Sequence, residues 1–228
     1  MKRTPYYSDD FVDLYHGDCL EVSEWLEADV LVTDPPYGLD AKLSAGAKGR
    51  KPGGHVRVSG DSAWDRTLTV RDAALELWGD RPAAVFASPK KIDSAPFPPR
   101  EVPLIWDKGE LVGMGDLSFP WRVNYELIYV RGGFMGPRTS TAVLRYPLSN
   151  MDASRIGHPT PKPVSLMENL VERAPAGLIA DPFSGSGSTL IACRHHKRKV
   201  IGVEADERFC EIAAKRLDQG VLDFGGVA

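Results

Sequence analysis

The 228-residue sequence predicts an α/β domain in which a mostly parallel sheet carries helices on both faces. Short apolar runs recur along the chain, each bounded by Gly, Pro or Asp, and such runs are typical of strands buried on both faces. Helical patterns lie between and after these runs, and this alternation indicates an α/β sheet. No repeat and no linker-like break divides the chain, so we expect one domain over residues 1–228.

Six apolar segments are the predicted strands. They are Val30–Thr33, Ala83–Ala87, Val102–Trp106, Glu126–Val130, Gly177–Ala180 and Val200–Val203. Two amphipathic patterns predict helices: Pro163–Ala174, behind a proline start, and Asp206–Leu217, behind an acid that can cap the helix. A further helix is expected to begin near Leu190.

The composition is that of a folded protein, with 43% apolar and 26% charged residues. The three cysteines, Cys19, Cys193 and Cys210, fit reduced thiols and offer no zinc framework, so we expect no metal site. The first residues lack the apolar core of a signal peptide, and no window approaches a membrane span. We therefore expect a cytoplasmic protein without a membrane partner.

Two segments are basic and lack helical periodicity. Residues 41–59 contain no acidic residue, and residues 131–158 contain one, Asp152. Because the net charge is −3, any polyanionic partner must be met by local patches of this kind. The alternative is that these charges only keep the loops soluble. The candidate phosphate contacts are Lys48, Arg50, Lys51, Arg57, Arg138 and Arg145.

A glycine loop follows the predicted strand Gly177–Ala180. It reads Asp-Pro-Phe-Ser-Gly-Ser-Gly-Ser-Thr over residues 181–189 and leads into a helix, which is the arrangement of a nucleotide-binding turn. Leu190 stands where the dinucleotide fingerprint needs a small residue, so NAD is disfavoured. Glu204 ends the next strand and can accept hydrogen bonds from both hydroxyls of a ribose. The alternative is a structural turn with an ordinary capping acid.

A second motif, Asp34-Pro35-Pro36-Tyr37, follows the predicted strand Val30–Thr33. Open α/β sheets bind their ligands at this end of their strands. Two prolines stiffen the segment, so that the Asp34 carboxylate and a neighbouring carbonyl form a rigid pair of acceptors suited to a planar NH₂ group. Tyr37 supplies a flat face for the ring that bears it. The alternative is a proline-rich turn in which Asp34 caps the next element.

Together, the two motifs resemble motifs IV and I of the DNA amino-methyltransferases, enzymes that use S-adenosylmethionine. The tetrad precedes the glycine loop, which is the order of the circularly permuted β group of that family. The resemblance extends from about Leu14 to Leu217. Further segments similar to family motifs are 15–19 (motif III), 105–108 (motif VI), 158–163 (motif X) and 202–206 (motif II).

The resemblance implies a single Rossmann-like methyltransferase domain with a twisted sheet, and S-adenosylmethionine as cofactor. It makes Asp34, Pro35, Pro36 and Tyr37 the catalytic residues. Four groups of residues would contact the cofactor. Glu204 would bind the ribose, Asp18 and Cys19 would lie beside the adenine, and Thr160 and Lys162 would bind the methionine carboxylate. The methionine side would be lined by Asp181, Phe183, Ser184, Gly185 and Gly187. The alternative interpretation of Asp18 is a simple Gly-Asp turn. The alternative interpretation of Lys162 is a solvated charge on the surface.

The implied activity is methyl transfer to N6 of a flipped-out adenine in double-stranded DNA. Asp34 favours adenine, because cytosine-N4 relatives often carry Ser at that position. N4 methylation of cytosine is the alternative, and a non-catalytic module that binds DNA or S-adenosylmethionine is a further one. Residues 41–59 and 131–158 would then be DNA-contacting and target-recognition loops. A homodimer and a restriction partner, as in restriction-modification systems, are compatible with this reading.

Overall fold

The computed structural model describes residues 3–39, 67–97, 102–110, 120–137, 139–147, 156–158 and 160–222. Within these ranges, nine strands form one sheet. The strands are β1 (Tyr7–Ser8), β2 (Val12–His16), β3 (Val30–Thr33), β4 (Ala83–Ala87), β5 (Leu104–Asp107), β6 (Tyr125–Arg131), β7 (Val143–Arg145), β8 (Ile179–Asp181) and β9 (Val200–Glu204). The helices are α1 (Thr69–Trp78), α2 (Val164–Arg173), α3 (Ser188–His195) and α4 (Glu207–Leu222), with 3₁₀ turns at Glu24–Glu27 and Pro89–Ser94.

The strands lie in the order β1-β2-β9-β8-β3-β4-β6-β5-β7. From β2 to β4 every neighbouring pair in this order is parallel. Beyond β4 the sheet is mixed rather than parallel, because β6 is antiparallel to both β4 and β5. The predicted α/β class with a mostly parallel sheet is therefore confirmed, and the parallel half carries both motifs.

Most predicted elements are present with shifted ends. The strand predicted over Val102–Trp106 begins at Leu104, directly after Pro103, whose nitrogen has no hydrogen to donate to a ladder. The strand predicted over Gly177–Ala180 begins at Ile179, because Gly177 has a φ of 124°, outside the extended region. The helix predicted to end at Leu217 continues to Leu222.

Four elements are absent from the predicted set: β1, β2, β7 and α1. Strand β2 buries Val12, Leu14 and Tyr15, but the charged Asp13 and the exposed His16 keep it from being a continuous apolar run. Helix α1 buries Arg71 together with Ala74 and Trp78, so a charge interrupts its apolar stripe. Strands β1 and β7 have two and three residues, too short for any periodicity to show.

Each face of the sheet has its own core. On one face, α2, α3 and α4 bury their apolar stripes against side chains such as Val30 and Val32 of β3. On the other, Trp78 of α1 stacks against Trp25 of the first 3₁₀ turn, with ring centroids 5.9 Å apart, over Leu31. Helices therefore cover both faces, as predicted. None of the described helices combines the length and hydropathy that a membrane-spanning helix requires.

The helices that follow the neighbouring strands β3 and β8 pack on opposite faces of the sheet. The chain after β8 enters α3 on one face, whereas α1, the described helix after β3, packs on the other. Such a reversal opens a crevice at the carboxyl ends of the two strands, where α/β proteins bind ligands. The tetrad and the glycine loop start at those two ends.

Candidate active site

The two motifs predicted to work together meet at the ends of β3 and β8. The strands pair in parallel register, with Leu31 opposite Ala180. The hydroxyl Oγ1 of Thr33, the last residue of β3, donates a 2.6 Å hydrogen bond to Oδ1 of Asp181, the last residue of β8. One hydrogen bond therefore joins the residue before the tetrad to the first residue of the glycine loop.

A single cavity of about 770 Å³ opens at this junction. It is lined by every residue predicted to be catalytic or cofactor-binding except Gly187. Those lining residues are Asp18, Cys19, Asp34, Pro35, Pro36, Tyr37, Thr160, Lys162, Asp181, Phe183, Ser184, Gly185 and Glu204. Glu126 and His158 also line the cavity. The tetrad and the glycine loop thus share one space of the size that small-molecule sites occupy.

The tetrad carboxylate is held from two sides. Tyr37 Oη lies 2.5 Å from Asp34 Oδ1 and 2.9 Å from Oε2 of Glu126, so its one proton can be donated to either carboxylate. Burial and the two carboxylates raise the pKa of Tyr37 well above its usual value, and the phenol keeps its proton. Because 24% of the Asp34 side chain remains exposed, the carboxylate can still meet a ligand.

Lys162 joins the two carboxylates. Its Nζ donates to Asp34 Oδ2 and lies 3.3 Å from Glu126 Oε2. Burial by itself lowers the pKa of this lysine, but Asp34 and Glu126 outweigh it and raise the pKa, so the ammonium stays charged. Burial raises the pKa of Asp34, and Lys162 opposes that rise. The sequence interpretation of Lys162 as a solvated surface charge is wrong, since only 7% of its side chain is exposed.

Glu126 was not among the predicted site residues. Its Oε1 accepts a 2.5 Å hydrogen bond from Nζ of Lys108, and Lys162 and Lys108 together lower its pKa although burial acts in the opposite direction. Asp34, Glu126, Lys162 and Lys108 make a balanced set of two negative and two positive charges. The signal available in the sequence was an acid directly before a run of four apolar strand residues, Leu127–Val130.

The glycine loop is shaped by backbone that only glycine adopts easily. Gly185 and Gly187 have φ values of 50° and 80°, and Ser188 begins α3 directly afterwards. A Cβ on Gly187 would lie 2.9 Å from Cβ of Ala213 in α4. Gly187 is not among the residues that line the cavity, and its missing side chain makes room for α4. Its assignment to the methionine side of the cofactor stays a prediction.

Glu204 is fixed at the end of β9 by the backbone. Its Oε2 accepts a 2.8 Å hydrogen bond from the Gly185 amide, and its Oε1 accepts one of 2.8 Å from the Asp206 amide. Burial raises the pKa of this carboxyl group. Each oxygen keeps a lone pair for a further donor, so the group can receive hydroxyls presented from the cavity.

The comparisons with known proteins agree with this geometry. A family model described as DNA methylase matches residues 116–215. The type II methyltransferase M.ScaI of Streptomyces caespitosus is 26% identical over 270 aligned residues, which cover 94% of this chain and 84% of that protein. The chain therefore resembles the DNA N6/N4 methylases in sequence. As in the β group of that family, the strand before the tetrad precedes the strand before the glycine loop.

Two solved structures share the fold of this chain. The M1.HpyAVI–SAM complex has a TM-score of 0.62 at 22% identity and covers 90% of this chain and 100% of that one. PvuII DNA methyltransferase, described as cytosine-N4-specific, has a TM-score of 0.59 at 19% identity. The alignment covers 93% of this chain and 88% of the PvuII chain. At these identities, the likeness establishes the common architecture.

The residues of the cavity fit S-adenosylmethionine, the cofactor implied by the resemblance and named for the M1.HpyAVI complex. Glu204 is held with acceptor capacity to spare, and α3 begins directly beyond the glycine loop, where backbone N–H groups lack partners within the helix. Asp181 is buried at the floor of the cavity, and this burial raises its pKa to about 6. The individual contacts assigned to Phe183 and Ser184 stay predictions.

Three further cofactor candidates lie at the rim. Asp18 lines the cavity, but its Oδ1 also accepts a 2.9 Å hydrogen bond from the Leu20 amide, so both the ligand-binding and the turn-forming readings remain open. Burial raises the pKa of Cys19 to about 12, which keeps the thiol protonated and unsuited to act as a nucleophile. Thr160 is exposed, and its amide donates to Nδ1 of His158.

Of the predicted DNA contacts, only Arg145 lies among the described residues. It is on β7 with 82% of its side chain exposed, and its Nε is 3.6 Å from Oδ2 of Asp107. The other candidates, Lys48, Arg50, Lys51, Arg57 and Arg138, lie outside the described residues, as does the whole of the basic segment 41–59. Arg131, at the end of β6, is bonded to Asp80 and to the Gly79 carbonyl and so has a structural role.

Proposed function

We propose that this protein is an S-adenosylmethionine-dependent DNA methylase that transfers a methyl group to the N6 amino group of an adenine flipped out of double-stranded DNA. The observation that carries the proposal is the shared cavity, which both the tetrad and the glycine loop line, with a hydrogen bond from Thr33 to Asp181 joining the ends of the two strands that lead into them. The aspartate at the first tetrad position supports adenine, since cytosine-N4 relatives often have serine there.

In this reading, Asp34 and the Pro35 carbonyl accept the two hydrogens of the amino group. S-adenosylmethionine, when bound, supplies an electrophilic sulfonium methyl group. The lone pair of the adenine amino nitrogen is delocalised into the ring, and two fixed acceptors favour the pyramidal nitrogen that makes it available. The Asp34 carboxylate also stabilises the positive charge that grows on the nitrogen, and preorganised groups of this kind contribute about 3 kcal/mol each.

Tyr37 provides the platform for the extruded base. Taking a base out of the duplex costs a few kcal/mol, and stacking on an aromatic ring returns about 1 to 3 kcal/mol. The Tyr37 hydroxyl is held by Asp34 and Glu126, so the ring is already oriented before the base arrives. Residues 41–59 and 131–158 would contact DNA phosphates, and the free energy of these contacts would offset the remaining cost of extruding the base.

N4 methylation of cytosine is the second candidate. It is favoured by the similarity in fold to the PvuII enzyme, and the two acceptors of the tetrad suit either amino group. The two bases therefore have to be separated by experiment.

The test uses the full chain with unmethylated DNA and S-adenosylmethionine carrying an isotopically labelled methyl group. The DNA is digested to nucleosides, and the modified base is identified by mass spectrometry. We expect labelled N6-methyldeoxyadenosine. Labelled N4-methyldeoxycytidine would replace the adenine assignment with cytosine, and unlabelled DNA together with measurable cofactor binding would support a non-catalytic module.

A further inference from the structure

Lys162 connects the two sides of the cavity. Its backbone carbonyl accepts a 2.7 Å hydrogen bond from Oγ of Ser188, the first residue of α3, so the main chain is tied to the cofactor side. The side chain runs the other way and ends at Asp34 and Glu126. The ammonium group therefore belongs to the side on which the target base is expected.

The surroundings of the ammonium fix it there. Its Nζ lies 5.7 Å from the ring centroid of Tyr37, 5.1 Å from that of Phe86 and 5.6 Å from that of Trp106. These rings favour a cation electrostatically. Withdrawing the ammonium would leave the buried Glu126 carboxylate with Lys108 alone and would remove the cation bound to the partly buried Asp34 carboxylate, which is unfavourable.

An ammonium group has three hydrogens to donate. Within the described part of the chain, its acceptors are Asp34 and Glu126, which take two of them. Lys162 lines the cavity, where an acceptor of a ligand within reach of Nζ would take the third hydrogen. Asp34 and Lys162 thus offer the cavity an acceptor and a donor in direct contact with each other.

That pair is complementary to one edge of the proposed substrate. In adenine, the amino nitrogen N6 is a donor and the adjacent ring nitrogen N1 is an acceptor, and N1 becomes accessible once the base has left the duplex. We propose that Lys162 donates a hydrogen bond to N1 of the flipped adenine while Asp34 accepts from N6. This inference rests on the proposed function and names the residue that orients the base in the same site.

The same pairing also accounts for which bases are excluded. Guanine and thymine carry a carbonyl oxygen next to a ring N–H, which places donor and acceptor in the opposite order and brings an acceptor against Asp34. Cytosine carries its amino group beside an acceptor, N3, just as adenine does. Asp34 and Lys162 therefore select amino bases over keto bases without separating adenine from cytosine.

The first test replaces the ring nitrogen. In the DNA sequence found to be methylated, the target adenine is exchanged for 1-deazaadenine or, as matched control, 7-deazaadenine, each opposite an abasic site so that base pairing does not contribute. A hydrogen bond from a charged donor corresponds to a factor of about 10 to 100. We expect kcat/KM to fall by that factor with 1-deazaadenine and by less than about threefold with 7-deazaadenine. Equal rates for adenine and 1-deazaadenine would overturn the inference.

The second test asks whether the effect depends on Lys162. In the variant Lys162→Met, methylation of adenine should fall, but 1-deazaadenine should be no worse than adenine, because the donor is already lost. A variant that still discriminates between them would show that another group reads N1. Lys162→Arg, which keeps the charge, should retain part of the discrimination.

The third test separates this role from binding of the methionine carboxylate. Binding of S-adenosylmethionine and of 5′-methylthioadenosine, which lacks the carboxylate, is measured by calorimetry for the wild type and Lys162→Met. We expect the ratio of the two affinities to change by less than about threefold. A selective loss of S-adenosylmethionine binding of tenfold or more would assign Lys162 to the cofactor and overturn the inference.

Failure of the inference and failure of the proposed function give different results. If N6-methyladenine forms but 1-deazaadenine reacts equally well, adenine methylation stands and the role of Lys162 is wrong. If the modified base is cytosine, the adenine assignment is wrong, and the comparison of cytosine with 3-deazacytosine applies the same criterion to Lys162.

Discussion

At the scale of single residues, the proposed chemistry depends on Asp34, a carboxylate that is only partly buried and can still meet a ligand. Asp34 accepts from Tyr37 and Lys162 and retains an exposed part toward the cavity. The two donors hold its plane fixed before any substrate enters. Orientation of this kind is what a preorganised acceptor requires, because reorganisation during the reaction would reduce its effect.

Replacing this carboxylate should abolish most of the activity without removing the cofactor site. We expect Asp34→Ala to lower kcat by about 100- to 1000-fold, the range seen when one preorganised group is lost. Binding of S-adenosylmethionine, measured by calorimetry, should change by less than about threefold. Glu211→Gln, which alters an exposed acid on α4 outside the cavity, is the matched control and should keep full activity. Full activity of Asp34→Ala would refute the mechanism.

Asp181 makes the stability of the protein depend on pH. Burial raises its pKa from 3.8 to about 6, so the folded protein binds this proton more tightly than the unfolded chain does. The stability that results is fully present below pH 4 and is lost as the pH rises through 6. By linkage, the loss is on the order of 3 kcal/mol.

This dependence is measurable by urea unfolding between pH 4.5 and 7.5. Relative to Asp181→Asn, which cannot titrate, the wild type should gain stability as the pH is lowered through this interval. The difference between the two proteins isolates Asp181 from the other titrating groups. Parallel stability curves for the wild type and the variant would show that the carboxyl group is not perturbed.

At the scale of elements, the site is built by a strand and a helix that meet at a glycine turn. Gly187 allows α3 to begin immediately after the loop and allows α4 to approach it closely. Glu204, at the end of β9, fastens the other side of the loop through the Gly185 amide. The position of the loop therefore depends on packing between elements distant in sequence.

The close approach of α4 can be tested by a double-mutant cycle. Gly187→Ala introduces a methyl group 2.9 Å from Cβ of Ala213 and strains the backbone, which together should cost about 2 to 4 kcal/mol of stability. Adding Ala213→Gly removes the opposing methyl group. The double variant should then recover about 1 to 2 kcal/mol relative to the sum of the single effects, as measured by urea unfolding. Strict additivity would mean that α4 moves aside freely.

At the scale of the whole molecule, the charge distribution has to be compatible with the proposed binding to DNA. The chain carries a net charge of −3, so attraction to phosphate must come from local basic surfaces. Among the described candidates, Arg145 is the one exposed on the sheet edge at β7. Its weak pairing with Asp107 leaves the guanidinium accessible to a phosphate.

Arg145→Ala should weaken DNA binding in a salt-dependent way. The slope of log K against log salt concentration should become shallower by about 0.9, the contribution of one phosphate contact. Fluorescence anisotropy between 50 and 200 mM salt provides the measurement. Lys215→Ala, an exposed lysine on α4, is the control and should leave the slope unchanged. An unchanged slope for Arg145→Ala would remove β7 from the DNA surface.

The local chemistry of this protein could be predicted from its sequence. The rigidity of Asp34-Pro35-Pro36-Tyr37, the glycine turn at residues 185–187 and the apolar strands that lead into them are properties of short segments, set by allowed backbone angles and by burial. Strand β3 was predicted with its observed ends, because a continuous apolar run can be recognised as a strand without knowing which strands lie beside it. These properties were enough to predict that the two motifs lie at the same edge of one sheet.

The tertiary structure alone decided how the charges around Asp34 are arranged. Glu126 reaches the cavity because β6 is inserted antiparallel between β4 and β5, and no local pattern encodes that neighbourhood. Lys162 meets Asp34, which is 128 positions away in the sequence, because Ser188 holds its backbone beside α3. The sequence determined which groups are available, and the order of the strands determined which of them share a low-dielectric space, where the energy of a charge depends on its nearest partner.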